Sequence, residues 1–295
     1  MTSNGLPNDI AAKVTVILVT YNSAHVVGDA LRSLPAGLPV ILVDNASIDH
    51  TCEVAAAVLP HTRIIRNQTN LGFARANNIA LEHTDTPYAL LLNPDARLQD
   101  DTLPTLIAAA DAYQDGAIFA PLVIEDKGRP RPAFRFLMPA RIKVRDTFDY
   151  TTLSGHTCTE FVSGAVMLLR MAAFADRPHI FDPKIFLYFD DEDICIDARR
   201  RGFSVILVPE STASHLAGMS TTPSKKVAYT KERYRIASYL YFTEKYKGRR
   251  SSYFKTMKML FRFVGSSLGY LITLQKDKFM QSASRVAGIF TYILG

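Results

Sequence analysis

Residues 14–45 read "VTVILVTYNSAHVVGDALRSLPAGLPVILVDN", and this stretch decides the fold. Its first segment, VTVILVTY (14–21), is β-rich and uniformly apolar, as a strand buried on both faces of a parallel sheet must be. AHVVGDALRSL then has the composition of a helix, and PVILVDN (39–45) is a second apolar strand. The alternation continues outward. TCEVAAAVL is helical, TRIIRN a short strand, GFARANNIALEH a helix, and YALLLNPD (88–95) an apolar strand ending in Asn-Pro-Asp. DTLPTLIAAADAY reads as a helix, and GAIFAPLVI, FVSGAVMLLRM and FSVILVPES as further strands. Strands and helices in this order predict an α/β architecture with a mainly parallel sheet. Residues 125–158 show scattered Pro, Arg and aromatic residues without a period, and predict a long active-site excursion.

Composition sets the class. The chain has 295 residues, 48% of them hydrophobic and 21% charged, which is enough apolar material for one large domain with an appendage. Its three cysteines, Cys52, Cys158 and Cys195, are odd in number, widely spaced and free of any CxxC pattern. That argues against a disulfide framework or a structural zinc site, and fits a reducing, cytoplasmic setting. The opening MTSNGLPNDIAAK has no basic region followed by an apolar stretch, so no signal peptide is expected.

The net charge of +6 conceals an asymmetry. From Lys225 onward there are 15 Lys/Arg against three acids, whereas the preceding residues hold 19 against 25. The basic part is helical and aromatic (AYTKERYRIASYLYFTEKYKG, then SSYFKTMKMLFRFVGSSLGYLITLQ). Its apolar run from Met259 to Leu274 is interrupted by Arg262 and falls short of the roughly 20 residues that span a bilayer. Interleaved Tyr, Phe and Lys/Arg suit a helix lying in the interface of an anionic membrane, against the alternative of a helix packed on the core. No recognition motif accompanies the charge, so nucleic acid is not the expected partner. The expected organisation is therefore a flexible N-terminus (1–12), a catalytic domain (13–224) and a basic, membrane-associating helical region (225–295), peripheral on the inner face of the cytoplasmic membrane.

Ligands of open α/β sheets bind beyond the carboxyl ends of the strands. Those places hold Thr20-Tyr21-Asn22, Asp44-Asn45-Ala46-Ser47, Asn93-Pro94-Asp95 and His215. Each cluster alone could be turn chemistry, but four of them ending four apolar strands should converge on one edge. Asp95, His215 and nearby acids make a plausible oxygen/nitrogen site for Mg²⁺ or Mn²⁺. Neither GxxxxGK[ST] nor GxGxxG follows the first strand, which argues against an ATPase or a dinucleotide dehydrogenase.

A second feature is YFDDEDICIDARRRG (188–202), where four acids follow the apolar run IFLYF. Acids in a first turn and Arg199–Arg201 before Gly202 suit the two ends of a helix. Carboxylates crowded against aromatics also repel and are poorly solvated, so at least one pKa should rise, as at functional sites.

Taken in order, VTYNS, VDNASIDHT, NLGFARANN, LLNPDA, SGAVMLLR, FDPKIFLYFDDEDICIDARRRGF and SHLAG resemble the family 2 glycosyltransferases, over about residues 12–220. Within that family the chain looks most like the bacterial rhamnosyltransferase-type enzymes of cell-surface polysaccharide assembly. The resemblance implies the GT-A fold, a Rossmann-like nucleotide-diphospho-sugar transferase with a mixed, mainly parallel sheet flanked by helices, here extended by basic amphipathic C-terminal helices. It implies a nucleotide-diphosphate sugar donor (dTDP-rhamnose or a UDP-sugar), a glycan or lipid-linked acceptor, a divalent metal and an inverting single displacement. Carried over by position, Thr20 and Tyr21 border the base, Asn22 joins them in binding the donor, and Asp44 accepts from the pyrimidine imide. Asn70, Gly72 and Asn77 line the diphosphate side. Asn93-Pro94-Asp95 takes the place of the family's DxD metal motif, with Asn93 where an Asp is usual, and Asp95 and His215 are the metal ligands. Gly164 borders the acceptor, Asp191 is the general base, and Asp190 and Asp193 position donor or acceptor groups. Glu192 falls at a variable position and is expected to be solvated.

Three rivals are weighed against this resemblance. A processive synthase carries several membrane spans and a QxxRW motif, yet the chain has no Trp. A nucleotidyltransferase has a Gly- and Arg-rich loop where TYNSAHVVG stands. A non-catalytic, membrane-docked nucleotide-sugar-binding scaffold rests on Asn93 alone.

Overall fold

The computed structural model describes residues 8–125, 129–130 and 154–295. Strands β1 (Val14–Thr20), β2 (Val40–Asp44), β3 (Arg63–Arg66) and β4 (Tyr88–Leu92) alternate with helices α2 (Val27–Arg32), α3 (Thr51–Val58) and α4 (Gly72–Leu81). Next come β5 (Ala96–Leu98), α5 (Thr102–Ala112), β6 (Gly116–Glu125), β7 (Arg129–Pro130), β8 (Thr157–Cys158), β9 (Val166–Arg170), α6 (Asp190–Arg200) and β10 (Ser204–His215). They form one ten-stranded sheet whose main path runs β3-β2-β1-β4-β9-β6-β10-β5. β1 pairs in parallel with both β2 and β4, β2 with β3, and β6 with β10. β9 lies antiparallel between β4 and β6, which makes the sheet mixed.

Side-chain alternation builds a core on each face of this sheet. Val16, Leu18, Leu42 and Leu90 pack with α2, α3 and α5 on one face. Ile17, Ile41, Val43 and Leu91 pack with α4 and α6 on the other. Both faces are covered, which is why these strands read as unbroken apolar runs.

Several elements were not legible in the sequence. β5, β7 and β8 are two or three residues long, too short for a period to register, and pair antiparallel with β10, β6 and β10. The excursion expected over 125–158 lies largely outside the described residues. Of residues 1–12, Asn8–Ala11 form a short helix (α1) and Ile10 is buried, so this part of the expected flexible N-terminus is structured.

The C-terminal residues fold as α7 (Lys225–Lys247), α8 (Arg249–Ile272) and α9 (Lys276–Leu294) around a small core of Ile236, Leu240, Phe263 and Ile289. The α7–α9 crossing is close: a Cβ on Gly288 would stand 2.3 Å from the Arg233 carbonyl oxygen. Among the described residues no helix is long and apolar enough to cross a membrane.

Candidate active site

Parallel pairing brings the strand ends together. Thr20 stands opposite Asp44 at the ends of β1 and β2, and Leu92 of β4 opposite Val166 at the start of β9. Because β9 runs antiparallel, the residues before it, including Gly164, reach this same edge. The short strand β5 turns back beside β10, placing Ala96 opposite His215 and so Asp95 next to that imidazole.

At the β1–β2 end, Asp44 is buried and held by three bonds. Its Oδ1 accepts from Thr20 Oγ1 (3.0 Å) and Ser47 Oγ (2.5 Å), and its Oδ2 from the Ser47 amide (3.0 Å). A carboxylate offers about four lone-pair sites, so one acceptor position is left for a ligand. Asn22 supports the same loop. Its amide donates to Ser47 Oγ and its Oδ1 accepts from the Ile48 amide, with φ +52° at Asn22 itself. Tyr21 is half-buried beside it, its amide donating to Ser23 Oγ.

The segment before α4 is fixed by amides. Asn70 Oδ1 accepts from the Gly72 amide, and Asn45 Nδ2 donates to the Gly72 carbonyl. Gly72 has φ +83°, and a Cβ there would stand 2.2 Å from the backbone oxygen of Phe186, so only glycine fits. Asn77 is buried, and its amide donates within its own helix to the Phe73 carbonyl. Its neighbour Asn78, not singled out in the sequence, clasps Phe181 through both its N–H and its carbonyl oxygen.

Asp95 and His215 are both buried, with Asp95 Oδ1 3.2 Å from His215 Nε2. Asp95 Oδ2 accepts from Ser220 Oγ at 3.0 Å. Burial works against ionisation of Asp95, but the facing imidazole and the Ser220 hydroxyl more than offset it, and the carboxyl sits below its ordinary range. His215 Nδ1 makes no hydrogen bond despite its burial, and Asp95 Oδ1 and His215 Nε2 face only each other. Buried polar atoms without partners are costly. A hard oxygen and an imidazole nitrogen oriented together are also a donor pair that suits Mg²⁺ or Mn²⁺. The described residues hold no group of three or more His, Cys, Asp or Glu arranged for a metal, so further ligands would have to be donor phosphate oxygens, water or Asn93, which is half-buried two residues before Asp95.

The acidic segment opens α6. Tyr188 and Phe189 both adopt left-handed backbone, at φ +67° and +68°. For non-glycine residues this costs on the order of 1–3 kcal/mol each, and such strain collects at functional sites. The Gly164 amide donates to Asp191 Oδ2 at 3.2 Å, and a Cβ on Gly164 would be 3.3 Å from Asp191 Cβ. Glycine thus lets the loop before β9 close onto this carboxylate.

The raised pKa values fall on its neighbours. Burial, and then the Asp191 charge, push Asp190 up to about 8. Burial and then Asp191 push Glu192 up to about 10. Glu192 is therefore not simply a solvated residue, as its variable position suggested. Asp193 is raised by burial, against the pull of Lys245 and Tyr246. Burial thus raises the pKa of Asp190, Glu192 and Asp193, the three acids that follow Phe189 together with Asp191, whose carboxylate accepts from the Gly164 amide.

The site thus joins Thr20, Asp44, Asp95, His215, Gly164 and Asp191 on one edge, with Asn70 and Gly72 beside it, whereas Asn77 is engaged within its helix. Asn78 and Ser220 escaped notice in the sequence because their partners, Phe181 and Asp95, lie in distant elements, whereas Asn45 and Ser47 belong to the strand-end cluster named there without a role.

Comparison with known proteins identifies the family and the fold. Residues 15–178 match the family described as Glycosyl transferase family 2. An N-acetylglucosaminyl-diphospho-decaprenol L-rhamnosyltransferase of Mycobacterium tuberculosis is 24% identical over 266 residues, covering 79% of this chain and 85% of its own. The rhamnosyltransferase WbbL of Escherichia coli is 27% identical over 50% of this chain and 61% of its own. Among solved structures, residues 1–349 of Staphylococcus aureus TarS superpose with a TM-score of 0.55 at 14% identity, covering 94% of this chain and 91% of that one. A Pyrobaculum calidifontis mannosyltransferase in complex with GDP-Man and Mn²⁺ also gives 0.55, at 13% identity over 95% and 87%. A mixed sheet with acids gathered at its carboxyl edge, and a family match over more than half the chain, lead to one conclusion: the chain belongs to the family 2 glycosyltransferases and has their GT-A-type fold.

Proposed function

We propose that the chain is an inverting transferase that moves a sugar from a nucleotide-diphosphate donor to a hydroxyl of a glycan or lipid-linked acceptor, with Asp191 as the general base. The observation that carries this reading is the seating of Asp191 against the Gly164 amide at the start of α6, between Asp190 and Glu192, whose pKa values burial raises. Rhamnose is the sugar named for two relatives that span half or more of the chain, and a diphospho-lipid glycan is the acceptor named for one of them. dTDP-rhamnose is accordingly the first donor to test and UDP-sugars the second, in a pathway of cell-surface polysaccharide assembly.

In this mechanism the donor base lies by Thr20, Tyr21 and Asn22, with Asp44 accepting from its imide N–H. Asn70 and the Gly72 turn border the diphosphate. Asp191 takes the proton of the acceptor hydroxyl as it attacks C1, and general base catalysis of this kind contributes about 10²–10⁴-fold. Asp95 and His215 would hold Mg²⁺ or Mn²⁺, with Asn93 as a neutral oxygen donor close by. The ion, when bound, neutralises the departing diphosphate. The non-catalytic alternative leaves the Gly164–Asp191 closure without a purpose.

Asp191→Asn should leave nucleotide-sugar binding nearly intact in calorimetry while transfer falls by at least 100-fold. Wild-type transfer in that variant would remove Asp191 from the role. Titrating a nucleotide-sugar panel with and without Mn²⁺ identifies the donor and the metal requirement together.

We also propose that the protein works at the inner face of the cytoplasmic membrane, docked through α8. Phe254, Phe261, Val264, Leu268, Leu271 and Ile272 are exposed at helical spacing along one side of it, flanked by exposed Lys258 and Arg262. Apolar side chains beside cations suit a helix lying in an anionic interface. The double variant Phe261→Glu/Leu268→Glu should lose binding to vesicles containing anionic lipid, and salt should weaken wild-type binding. Unchanged sedimentation with such vesicles would remove α8 as the anchor.

A further inference from the structure

The segment that carries the catalytic acids is gripped from outside by α7, a helix whose residues the transfer reaction does not call upon. Phe186 stacks on Tyr234 with centroids 3.7 Å apart and planes 16° from parallel. The Leu187 carbonyl accepts from Ser238 Oγ at 2.9 Å. Phe189, one of the two left-handed residues, packs on Tyr239 and Phe242, at centroid distances of 5.8 and 5.2 Å. The apolar burial of Phe189 offsets part of the strain in its backbone.

Polar groups close the two ends of the same segment. Lys245 Nζ lies 2.7 Å from Asp182 Oδ2 and 2.9 Å from Asp193 Oδ2, so one ammonium joins a residue before the turn to one inside α6. Tyr246 donates its hydroxyl to Asp193 Oδ1 at 2.7 Å, and Tyr241 donates to Asp182 Oδ2 at 2.9 Å. Burial works against the charge on Lys245, but its bonds to Asp182 and Asp193 outweigh that and raise its pKa. Asp193 lies two residues beyond Asp191, on another side of the helix. α7 can therefore hold the one while the other faces Gly164.

We propose that Lys245 and Tyr246 are positioning residues for Asp191: by fixing Asp193, and through Asp182 the far end of the segment, they make the Tyr188–Phe189 turn present the base to the acceptor hydroxyl. The inference rests on Asp191 being that base. It assigns α7 to the transfer machinery, although it lies beyond the residues the family match covers.

The test uses the full chain. Misplacing a reacting group by about 1 Å costs on the order of 100-fold in rate, so Lys245→Met should lower kcat by about 10- to 100-fold with the donor KM and calorimetric donor affinity within about twofold of wild type. Tyr246→Phe, which removes one hydroxyl without changing shape, should lower kcat several-fold with the same split and serves if Lys245→Met does not fold. Lys245→Arg, which keeps the charge and several donors, should recover part of the loss. Lys245→Met should add no further loss in the Asp191→Asn background, because a residue acting through the base has nothing left to position.

Wild-type kcat in folded Lys245→Met and Tyr246→Phe would overturn the proposal, as would a fall in donor affinity that accounts for the whole loss or an additive loss in the double variant. Asp191→Asn assayed alongside separates the two ideas. If it transfers normally, the base assignment falls and the positioning role with it. If it is inactive while both α7 variants are normal, only the positioning role falls.

Discussion

The two halves of the proposed active site are built in different ways. The half at β1 and β2 is made of short loops that satisfy themselves: Asp44 is held by Thr20 and Ser47, and Asn70 by its own Gly72 turn. The half at α6 is made from outside. Its acids follow two left-handed residues, and the groups that hold Asp193 among them come from α7, some 50 residues later in the chain. A nucleotide pocket can be carried by turn chemistry because its job is to present donors and acceptors at fixed places. A crowded acid cluster needs a scaffold, because mutual repulsion and lost solvation would otherwise open it.

The largest expected effect comes from the place where the halves touch. Gly72→Ala would push a methyl into the Phe186 carbonyl at left-handed φ, and should destabilise by about 2–3 kcal/mol. It should lower the unfolding temperature and remove both donor binding and transfer. If donor binding survived with only transfer lost, the halves would be less coupled than this contact requires.

Asp44→Ala should act on one half alone. Losing a charge-assisted acceptor for the base costs about 1.5–3 kcal/mol, so the donor KM should rise tenfold or more, with kcat much less affected. A kcat loss at unchanged KM would place Asp44 in the chemistry instead.

The smallest effect tests the electrostatics of the other half. Asp190 has a folded pKa near 8, above its ordinary value of 3.8, because of burial and Asp191. The folded state therefore binds more protons than the unfolded one between those values, and stability falls as pH rises through that window. Asp190→Asn should accordingly gain in unfolding temperature over wild type between pH 5 and pH 9. A constant difference across that range would mean that Asp190 is already ionised in the fold.

Much of this was legible in the residues. Apolar runs such as YALLL announced buried strands, and the polar residues just past them marked the edge where ligands bind, so Asp44, Asp95 and His215 could be named without coordinates. The four acids after IFLYF marked the other half. The direction of β9 could not be read, because an apolar strand looks the same in parallel and antiparallel pairing. Nor could Asn78 or Ser220, whose partners lie 103 and 125 residues away.

The basic C-terminal region divides the two kinds of knowledge most clearly. By itself the sequence determined that residues 225–295 are helical, cationic and rich in aromatics, because composition and period are local properties. Only the tertiary structure decided that α7 turns its aromatics onto the Tyr188–Phe189 turn and Lys245 onto Asp193, while α8 leaves Phe261 and Leu268 exposed. Both helices mix Tyr, Phe, Lys and Arg, and either pattern satisfies a helix face. What assigns each face its partner is the surface it meets, here the half-buried Asp182 and the buried Asp193, which Lys245 joins.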